Sequence, residues 1–320
     1  MSNKKAVVTG GSGFIGSHVV DKLMNDGWEE VVVYDDLRTG QDFYLDTWKQ
    51  DSRLKKVKAD VLDFDTLKGE VEGAELVIHF QANADVRGGL INRRIDLEQN
   101  TIATWNVCEA SALGGVKTLA FASSATVYGE PEVFPTPEKV APIQTSLYGA
   151  SKYAGEAMIQ AYSEYFDMEA RIFRFVSWTG PRYSHGVIYD FFKKLRENPK
   201  SLEILGNGKQ RKSYLDVRDG ISGIFRSFEY DKNRVGVYNL GHDDFMIVTE
   251  LAKIVCEEMG LSDVEFKFTG GERGWVGDSP VVHLDTANLK QLGWKPAVSI
   301  EQSIRDTVKY LIDNEKQILR

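Results

Sequence analysis

Short apolar runs alternate with longer amphipathic stretches through the first half of the chain. The runs are rich in Val, Leu and Ile, and their continuous apolar character is typical of parallel strands covered on both faces. Between them, Ile95 to Leu113 and Tyr148 to Phe166 have the apolar spacing of helices. The alternation predicts an α/β fold with a doubly wound parallel sheet. The predicted strands are Ala6–Val8, Val31–Val33, Leu54–Val57, Leu76–Ile78 and Thr118–Phe121.

The pattern changes from about Arg174, where glycine and proline interrupt shorter elements. Clusters at Gly180-Pro181, Gly206 to Gly208 and Gly270 to Gly274 mark turns rather than an interdomain linker. We therefore expect a first domain of residues 1–173. A smaller C-terminal α/β region of residues 174–320 is expected to cover the substrate, with some strands and helices returning to the first domain.

Composition and charge restrict the kind of protein. The chain is 42% hydrophobic and 27% charged, which is an ordinary globular balance. A net charge of -8 and a pI of about 5.3 argue against a nucleic-acid-binding surface. Cys108 and Cys256 lie far apart without metal-type spacing, so we expect no metal site, no disulfide and a reducing cytoplasm. No secretory core follows Lys4-Lys5, and no apolar stretch approaches the ~18 residues of a membrane span.

The strongest local signal is the segment Thr9 to His18, in which three glycines recur at intervals of three residues. It follows a predicted strand and opens a predicted helix, which is the context of a phosphate-binding turn. Gly10 permits the tight turn, Gly13 lets backbone amides approach a pyrophosphate, and Gly16 allows close helix–strand contact. The segment predicts a dinucleotide site with contacts from Gly10, Gly13, Phe14, Ile15 and Gly16.

Asp35 closes the second predicted strand, 19 residues after the last glycine of the turn. A carboxylate at this place accepts hydrogen bonds from the adenosine ribose. It also repels a 2′-phosphate, which favours NAD over NADP, although the nearby Arg38 leaves a phosphate-binding role open. Further candidates around the adenosine are Asp36, Asp60 and Val61.

Tyr148 and Lys152 lie one helical turn apart on the same face of a predicted helix. An unperturbed tyrosine has a pKa of about 10 and is a poor base at neutral pH. A lysine ammonium and a positive nicotinamide favour the phenolate, so we expect a lowered pKa for Tyr148. Ser123 and Ser124 end the preceding predicted strand, where Ser124 is placed to share a proton with Tyr148. The predicted catalytic residues are Tyr148, Lys152 and Ser124.

Taken together, these motifs resemble the extended short-chain dehydrogenases, and within them the UDP-glucose 4-epimerases. The resemblance extends over nearly the whole chain. It rests on the glycine turn, Asp35, Asn100, Ser123 to Gly129, Tyr148-x-x-x-Lys152, Gly180-Pro181-Arg182, Leu202 to Tyr214 and Gly271 to Asp278.

The resemblance implies a Rossmann-type NAD-binding domain and a 4-epimerase reaction on a UDP-sugar. In that reaction NAD takes a hydride from C4 of the sugar and returns it to the other face of a 4-keto intermediate. Tyr148 removes the proton of the 4-hydroxyl with the help of Ser124, and Lys152 holds the nicotinamide ribose. Further cofactor contacts are implied at Phe80, Gln81, Ala82, Asn100 and Ser123.

The same resemblance places the nucleotide sugar against the second half of the chain. Arg273 is implied to clamp the diphosphate. Ser177 stands where these epimerases usually carry asparagine, and Lys212 stands where arginine is usual, which a lysine cannot replace in a bidentate contact. Val282 falls where room at the sugar C2 substituent is limited, so an N-acetyl group is expected to fit. The implied substrate contacts are Ser124, Tyr148, Ser177, Arg182, Val187, Arg211, Lys212, Tyr214, Arg273, Asp278 and Val282.

Two other reactions and one non-catalytic role remain alternatives. Sugar 4,6-dehydratases use an acid–base pair after the catalytic threonine, and UDP-glucuronate decarboxylases carry a glutamate nearby, whereas Ala125, Thr126 and Val127 follow Ser124 here. A non-catalytic NAD-binding sensor is disfavoured because the catalytic tyrosine, lysine and serine are all present. By family analogy, the two long predicted helices form a homodimer interface, with no nucleic-acid or membrane partner.

Overall fold

The computed structural model describes residues 4–318, in which strands and helices alternate through the first half of the chain. The strands are β1 (Lys5–Thr9), β2 (Glu30–Asp35), β3 (Leu54–Lys58), β4 (Leu76–His79), β5 (Thr118–Ser124), β6 (Glu169–Phe175), β7 (Ser177–Thr179), β8 (Ser201–Ile204), β9 (Arg211–Lys212), β10 (Tyr214–Asp216), β11 (Val235–Leu240), β12 (Met246–Ile247), β13 (Glu265–Phe268) and β14 (Val281–Val282). The helices are α1 (Phe14–Asn25), α2 (Phe64–Val71), α3 (Gly88–Ile91), α4 (Ala103–Gly114), α5 (Leu147–Phe166), α6 (Val187–Glu197), α7 (Val217–Tyr230), α8 (Val248–Glu258), α9 (Ala287–Gln291), α10 (Ile300–Asp313) and α11 (Glu315–Ile318). Short 3-10 segments cover Asp42–Trp48 and Ala125–Tyr128, and a π-helical segment covers Leu97–Ile102.

A seven-stranded sheet has the order β11-β6-β5-β4-β1-β2-β3. Strand β1 lies between β2 and β4 and runs parallel to both, and the pairs β2–β3 and β4–β5 are also parallel. The order therefore reverses between β1 and β4. In doubly wound sheets, ligands bind beyond the carboxyl ends of the strands at such a reversal. The predicted fold class is confirmed. A ligand site is therefore expected at the carboxyl ends of β1 and β4.

The core of this sheet comes from the apolar runs that predicted the strands. Val7, Val32 and Phe121 are at most 1% exposed and pack in one cluster with residues of the flanking helices. Cys108 of α4 belongs to the same cluster. Full burial of each large apolar side chain contributes about 1.5–3 kcal/mol, which makes this cluster the main stabilising element of the sheet.

Strand β3 does not fit the expectation of an apolar run covered on both faces. It lies at the edge of the sheet, with Lys55 and Lys56 exposed and Leu54 and Val57 only half-buried. The Nζ atom of Lys55 lies 2.5 Å from a carboxylate oxygen of Glu70 on α2. Charged side chains on an edge strand disfavour pairing with another chain, which accounts for the polar character of β3.

The single helix predicted from Ile95 to Leu113 is wrong in its first half. The π-helical segment Leu97–Ile102 precedes α4, and such segments interrupt the regular 3.6-residue periodicity. The buried residue Asn100 lies within this segment. By contrast, α5 begins where the pattern predicts, because the Ser146 hydroxyl accepts a hydrogen bond from the Gly149 amide at 3.0 Å and caps the helix.

The described residues divide into two compact units, each built from separate stretches of chain. The first comprises residues 4–128, Ala141–Arg174 and Ile224–Tyr238. The second comprises Gly129–Val140, Phe175–Gly223 and residues 239–318, and contains the parallel pairs β7–β10 and β8–β13 and the small sheet β12-β9-β14. Within residues 4–318, no helix has both the length and the hydropathy needed to cross a bilayer.

Candidate active site

The glycine turn after β1 has a geometry that only glycine accommodates at two positions. Gly10 has φ +73°, and a Cβ atom on it would lie 2.7 Å from the backbone nitrogen of Gln81, just beyond β4. A Cβ atom on Gly16 would lie 2.1 Å from the carbonyl oxygen of Gly10. Gly13 precedes α1 without a side-chain cap, so the N-terminal turn that starts with Phe14 and Ile15 is not covered by a capping side chain. A helix N-terminus behind a close-packed glycine turn fits a pyrophosphate.

Asp35 supports the glycine turn from the end of β2. Its Oδ2 accepts a hydrogen bond from the Ser12 amide at 2.9 Å, and its Oδ1 accepts one from the Leu37 amide at 2.8 Å. Burial is the largest cause of a raised pKa of this carboxyl, and the two amide hydrogen bonds oppose it. A carboxylate has about four acceptor positions, so two remain for ribose hydroxyls.

Arg38 is held by two carboxylates. Its Nη2 atom lies 2.9 Å from an oxygen of Asp36 and 2.9 Å from an oxygen of Asp60. Gln81 donates a hydrogen bond to Asp36 at 3.2 Å, and Gln99 donates one to Asp60 at 3.1 Å. The charge of Arg38 is therefore already compensated, and a 2′-phosphate here would meet a surplus of carboxylates. This arrangement favours NAD over NADP.

Residues 80–82, after β4, and Val61, after β3, are the other predicted cofactor positions. The amides of Phe80 and Gln81 both donate to the carbonyl of Thr9, at 2.9 and 3.1 Å, which ties the end of β4, just before Ala82, to β1. The Oε1 atom of Gln81 is buried and accepts no hydrogen bond from the described residues, so it is an acceptor suited to a bound group. Val61 is fully buried, and its carbonyl accepts a hydrogen bond from Asn106 at 2.8 Å.

Two of the predicted cofactor residues have side chains that bond to the protein itself. Asn100 accepts a hydrogen bond from the Asn83 amide at 2.8 Å and donates to Ser151 at 2.9 Å. It therefore fixes the loop after β4 against the catalytic helix. The Ser123 hydroxyl donates to the buried carboxylate of Glu156, so it can act toward a cofactor only as an acceptor.

Glu156 and Arg174 form a buried ion pair that sequence reasoning missed. Glu156 accepts hydrogen bonds from Nε and Nη2 of Arg174 at 2.9 and 2.7 Å, and Arg174 also donates to the Tyr128 hydroxyl at 2.8 Å. The pair joins α5 to β6 and to the end of β5. The only sequence signal for it is the position of Glu156, one helical turn after Lys152 on the same face.

The predicted catalytic residues meet at the end of β5 and the start of α5. The Ser124 hydroxyl lies close enough to the phenol of Tyr148 to lower its pKa, and it accepts a hydrogen bond from the Thr126 hydroxyl at 3.0 Å. The Nζ atom of Lys152 lies 5.9 Å from the centre of the Tyr148 ring and donates to the carbonyl of Ala122 at 2.9 Å. Lys152 is 3% exposed, whereas Ser124 and Tyr148 are partly open to solvent. The arrangement presents a phenol and a hydroxyl to a ligand, with an ammonium behind them.

In the protein without a bound nicotinamide, the pKa of Tyr148 lies above its ordinary value. Burial raises it to about 12, against the lowering effect of the Ser124 hydrogen bond and with a smaller raising effect of the Asp96 charge. Burial also lowers the pKa of Lys152 to about 8. In the protein alone, desolvation therefore outweighs the neighbouring ammonium, and the phenol is neutral at pH 7. A bound cation such as an oxidised nicotinamide would favour the phenolate.

Apart from Ser124 and Tyr148, the predicted substrate residues lie in the second unit, where strand pairing joins several of them. Ser177 of β7 is exposed and pairs with the buried Tyr214 of β10. Lys212 of β9 pairs with the half-buried Val282 of β14. The remaining positions are Arg182, in a turn with φ +68°, Val187 at the start of α6, and the exposed Arg211, whose guanidinium lies 5.4 Å from the Phe245 ring centre.

Two of the predicted diphosphate-binding cations are paired with carboxylates of the protein. Lys212 lies 2.7 Å from a carboxylate oxygen of Asp278, which is itself buried. Arg273 lies 2.6 Å from a carboxylate oxygen of Glu130, and this pair is about half exposed. The Lys212–Asp278 pair joins two positions that the resemblance assigned separately to the substrate. Among residues 4–318, no group of three His, Cys, Asp or Glu side chains is placed to hold a metal ion.

The chain is similar to known proteins over most of its length. The model of the NAD dependent epimerase/dehydratase family matches residues 6–241. A putative UDP-glucose 4-epimerase of Methanocaldococcus jannaschii is 31% identical over 316 residues, which cover 97% of this chain and 99% of that protein. UDP-glucuronic acid decarboxylase 1 of Xenopus tropicalis is 29% identical over 319 residues, which cover 96% of this chain and 72% of that protein. Among solved structures, a UDP-galactose 4-epimerase is similar at a TM-score of 0.86 and 37% identity, covering 97% of this chain and 99% of that chain.

Proposed function

Because the chain belongs to the NAD-dependent epimerase/dehydratase family, we propose that it interconverts the configuration at C4 of a UDP-sugar. NAD is the cofactor of this family, and the glycine turn, Asp35 and the orphan acceptor of Gln81 fit it. When bound, NAD supplies the reversible hydride acceptor that the reaction needs. We assign the cofactor to residues 1–173 and the nucleotide sugar to residues 174–320.

The observation that carries the proposal is the placement of the Ser124 hydroxyl beside the phenol of Tyr148, with Lys152 buried behind them. Tyr148 accepts the proton of the 4-hydroxyl, and Ser124 hydrogen-bonds the same hydroxyl. Lys152 keeps a positive charge near the phenol and holds the nicotinamide ribose. The burial of Lys152 makes its charge effective because few water molecules screen it.

The turn after β5 favours an epimerase over a dehydratase or a decarboxylase. Those reactions need a carboxyl group beside the reacting sugar, but Ala125, Thr126 and Val127 occupy the 3-10 turn. The Thr126 hydroxyl instead supports Ser124. A non-catalytic sensor is disfavoured because such a protein has no use for the Ser124–Tyr148–Lys152 arrangement.

For the nucleotide sugar, we propose that Arg273 binds the diphosphate and that Lys212 contributes through its pair with Asp278. The short side chain of Val282 supports acceptance of an N-acetyl group at C2 of the sugar. Ser177 and Tyr214, paired on neighbouring strands, support a contact with the nucleotide sugar at the end of β7.

We also propose a homodimer formed by α4 and α5 with the π-helical segment before α4. Several large apolar side chains on these elements are exposed in the single chain, which is unusual for a surface that faces only water. They are Leu97, Ile102, Trp105, Leu113, Tyr165 and Phe166. A reducing cytoplasmic location is supported by the two cysteines, which are buried and form no disulfide.

The reaction is tested by incubating the purified protein with UDP-glucose, UDP-N-acetylglucosamine or UDP-glucuronate and following the anomeric protons by NMR. We expect a 4-epimer from at least one sugar without added NAD if the cofactor copurifies, and with added NAD otherwise. Tyr148→Phe should bind NAD normally and lose nearly all turnover. Release of CO₂ from UDP-glucuronate, or a 4-keto-6-deoxy product, would replace the epimerase proposal with a decarboxylase or a dehydratase.

A further inference from the structure

The buried carboxyl group of Asp96 lies beside the catalytic helix and has no role in the reaction described above. Asp96 is 1% exposed. Oδ1 accepts hydrogen bonds from Nδ2 of Asn83 at 2.8 Å and from Nδ2 of Asn100 at 3.2 Å. Oδ2 is buried and accepts no hydrogen bond from the residues that the structure describes. A half-satisfied buried carboxylate is costly unless another interaction compensates for it.

The packing around Oδ2 fixes the position of this carboxyl. A Cβ atom on Gly89 would lie 2.6 Å from Oδ2 and 3.3 Å from the Cβ of Leu147, the first residue of α5. Glycine at position 89 therefore allows α3 to pack closely against both Asp96 and the start of the catalytic helix. No larger residue fits there without displacing one of them.

A chain of hydrogen bonds connects Asp96 to the catalytic helix. Asn100 bonds Asp96 through the same Nδ2 that donates to the Ser151 hydroxyl at 2.9 Å. The Ser151 hydroxyl donates in turn to the backbone carbonyl of Tyr148 at 2.7 Å, and Lys152 is the next residue along the helix. The position of Asp96 is thereby coupled to that of the Tyr148–Lys152 pair.

The charge of Asp96 acts on both catalytic groups. Burial lowers the pKa of Lys152 to about 8, and the Asp96 charge opposes this lowering. The same charge adds to the burial that raises the pKa of Tyr148. The other charged or titratable groups around this cluster are Asp85, whose charge reaches Asp96, and His79, whose pKa is lowered by burial and by Lys152.

We propose that Asp96 is the fixed counter-charge of Lys152, a positioning residue that keeps this lysine protonated and sets the proton balance of the Tyr148–Lys152 pair. The proposal rests on the catalytic roles assigned above to Tyr148 and Lys152. Lys152 has three donor hydrogens, and among residues 4–318 its ammonium donates a hydrogen bond only to the carbonyl of Ala122. A buried negative charge nearby therefore supplies the compensation that this carbonyl cannot.

The test is the titration of Lys152, followed by NMR in protein labelled with ¹³C at lysine and assigned with Lys152→Met. In Asp96→Asn we expect the pKa of Lys152 to fall by about 0.5–1 unit, because the cation loses a favourable charge. At a fixed pH below that pKa, the neutral fraction rises about three- to tenfold. Asp85→Asn is the matched control, since it removes an exposed carboxylate from the same loop, and it should leave Lys152 unchanged.

In Asp96→Asn, the new amide group lies where Oδ2 has no hydrogen-bond partner, and this could disturb the fold. Asp96→Ser is therefore a second neutral variant, smaller than asparagine, that retains an acceptor for Asn100. Both variants should also move the acid limb of the kcat–pH profile to lower pH, with KM for the sugar changed less than twofold. An unchanged Lys152 titration in both folded variants would overturn the proposal. The titration needs no turnover, so a failed epimerase assay beside a shifted Lys152 would count against the reaction and not against Asp96.

Discussion

Replacing Gly16 by alanine tests whether the glycine turn is built around close backbone contact. The added Cβ would lie 2.1 Å from the carbonyl oxygen of Gly10 and 2.8 Å from the Cα of Gly11. Ordinary contact begins near 3.4 Å, so the new Cβ and the carbonyl oxygen of Gly10 must move apart by about 1.3 Å. Both opposing atoms belong to the backbone, and the separation therefore displaces the start of α1 from the end of β1.

Two losses follow from that displacement. Overpacking at a rigid site costs about 1–3 kcal/mol of unfolding free energy. The amides that meet the pyrophosphate are displaced by more than 1 Å, and we expect the affinity for NAD to fall at least ~100-fold, which corresponds to about 2.7 kcal/mol. The first loss is measured by urea denaturation and the second by calorimetric titration of cofactor-free protein with NAD.

Gly69→Ala provides the matched control for the same chemical change. Gly69 lies in α2, and a Cβ on it would meet nothing within 4 Å. We expect this variant to bind NAD normally and to gain about 0.5–1 kcal/mol of stability, because alanine favours the helix. If Gly16→Ala bound NAD within threefold of the unmodified protein, the assignment of the turn to the pyrophosphate would be wrong.

Three further predictions concern stability and assembly. Glu156→Leu leaves the buried Arg174 without its counter-charge and should lower the free energy of unfolding, measured by urea denaturation, by about 3–5 kcal/mol. The double variant with Arg174→Met should recover most of this loss. An equal loss in the single and the double variant would contradict this prediction. Burial lowers the pKa of His79 from 6.5 to about 3, so the unfolded chain binds more protons between these values and stability should rise with pH across that window. His79→Gln should flatten the slope, and an unchanged slope would exclude His79 as its origin. Trp105→Glu should shift the protein from dimer to monomer in analytical ultracentrifugation, whereas Val276→Glu, another exposed apolar position, should not; a monomeric unmodified protein would refute the dimer.

The local pattern of apolar residues predicted the alternation of strands and helices, because most of the strands are buried and the helices are amphipathic. The extent of α5 followed closely from its apolar spacing. The exposed edge strand β3 and the π-helical segment were not predicted. The first depends on the place of a strand in the sheet, and the second on contacts of Asn100 with distant segments.

The residues of the candidate site were predicted best where they lie in one short segment of the sequence, as in the glycine turn and in Tyr148-x-x-x-Lys152. Side chains that are paired across long sequence distances were not foreseen. Lys212 pairs with Asp278 and Arg273 with Glu130, and local spacing contains no information on either pair. The raised pKa of Tyr148 in the protein alone was not foreseen either, because a sequence names the neighbouring charges but not the degree of burial. Asp96 has no motif that marks it, and only its burial and its orphan oxygen identify it.

The central claim is that a hydride leaves C4 of the sugar and returns to the same carbon without exchange with water. The most direct measurement uses UDP-glucose deuterated at C4, with the product examined by NMR and mass spectrometry. The account predicts UDP-galactose that retains the deuterium at C4, formed at a rate reduced by an isotope effect. Product that has lost the deuterium, or conversion that persists undiminished in Tyr148→Phe, would contradict it.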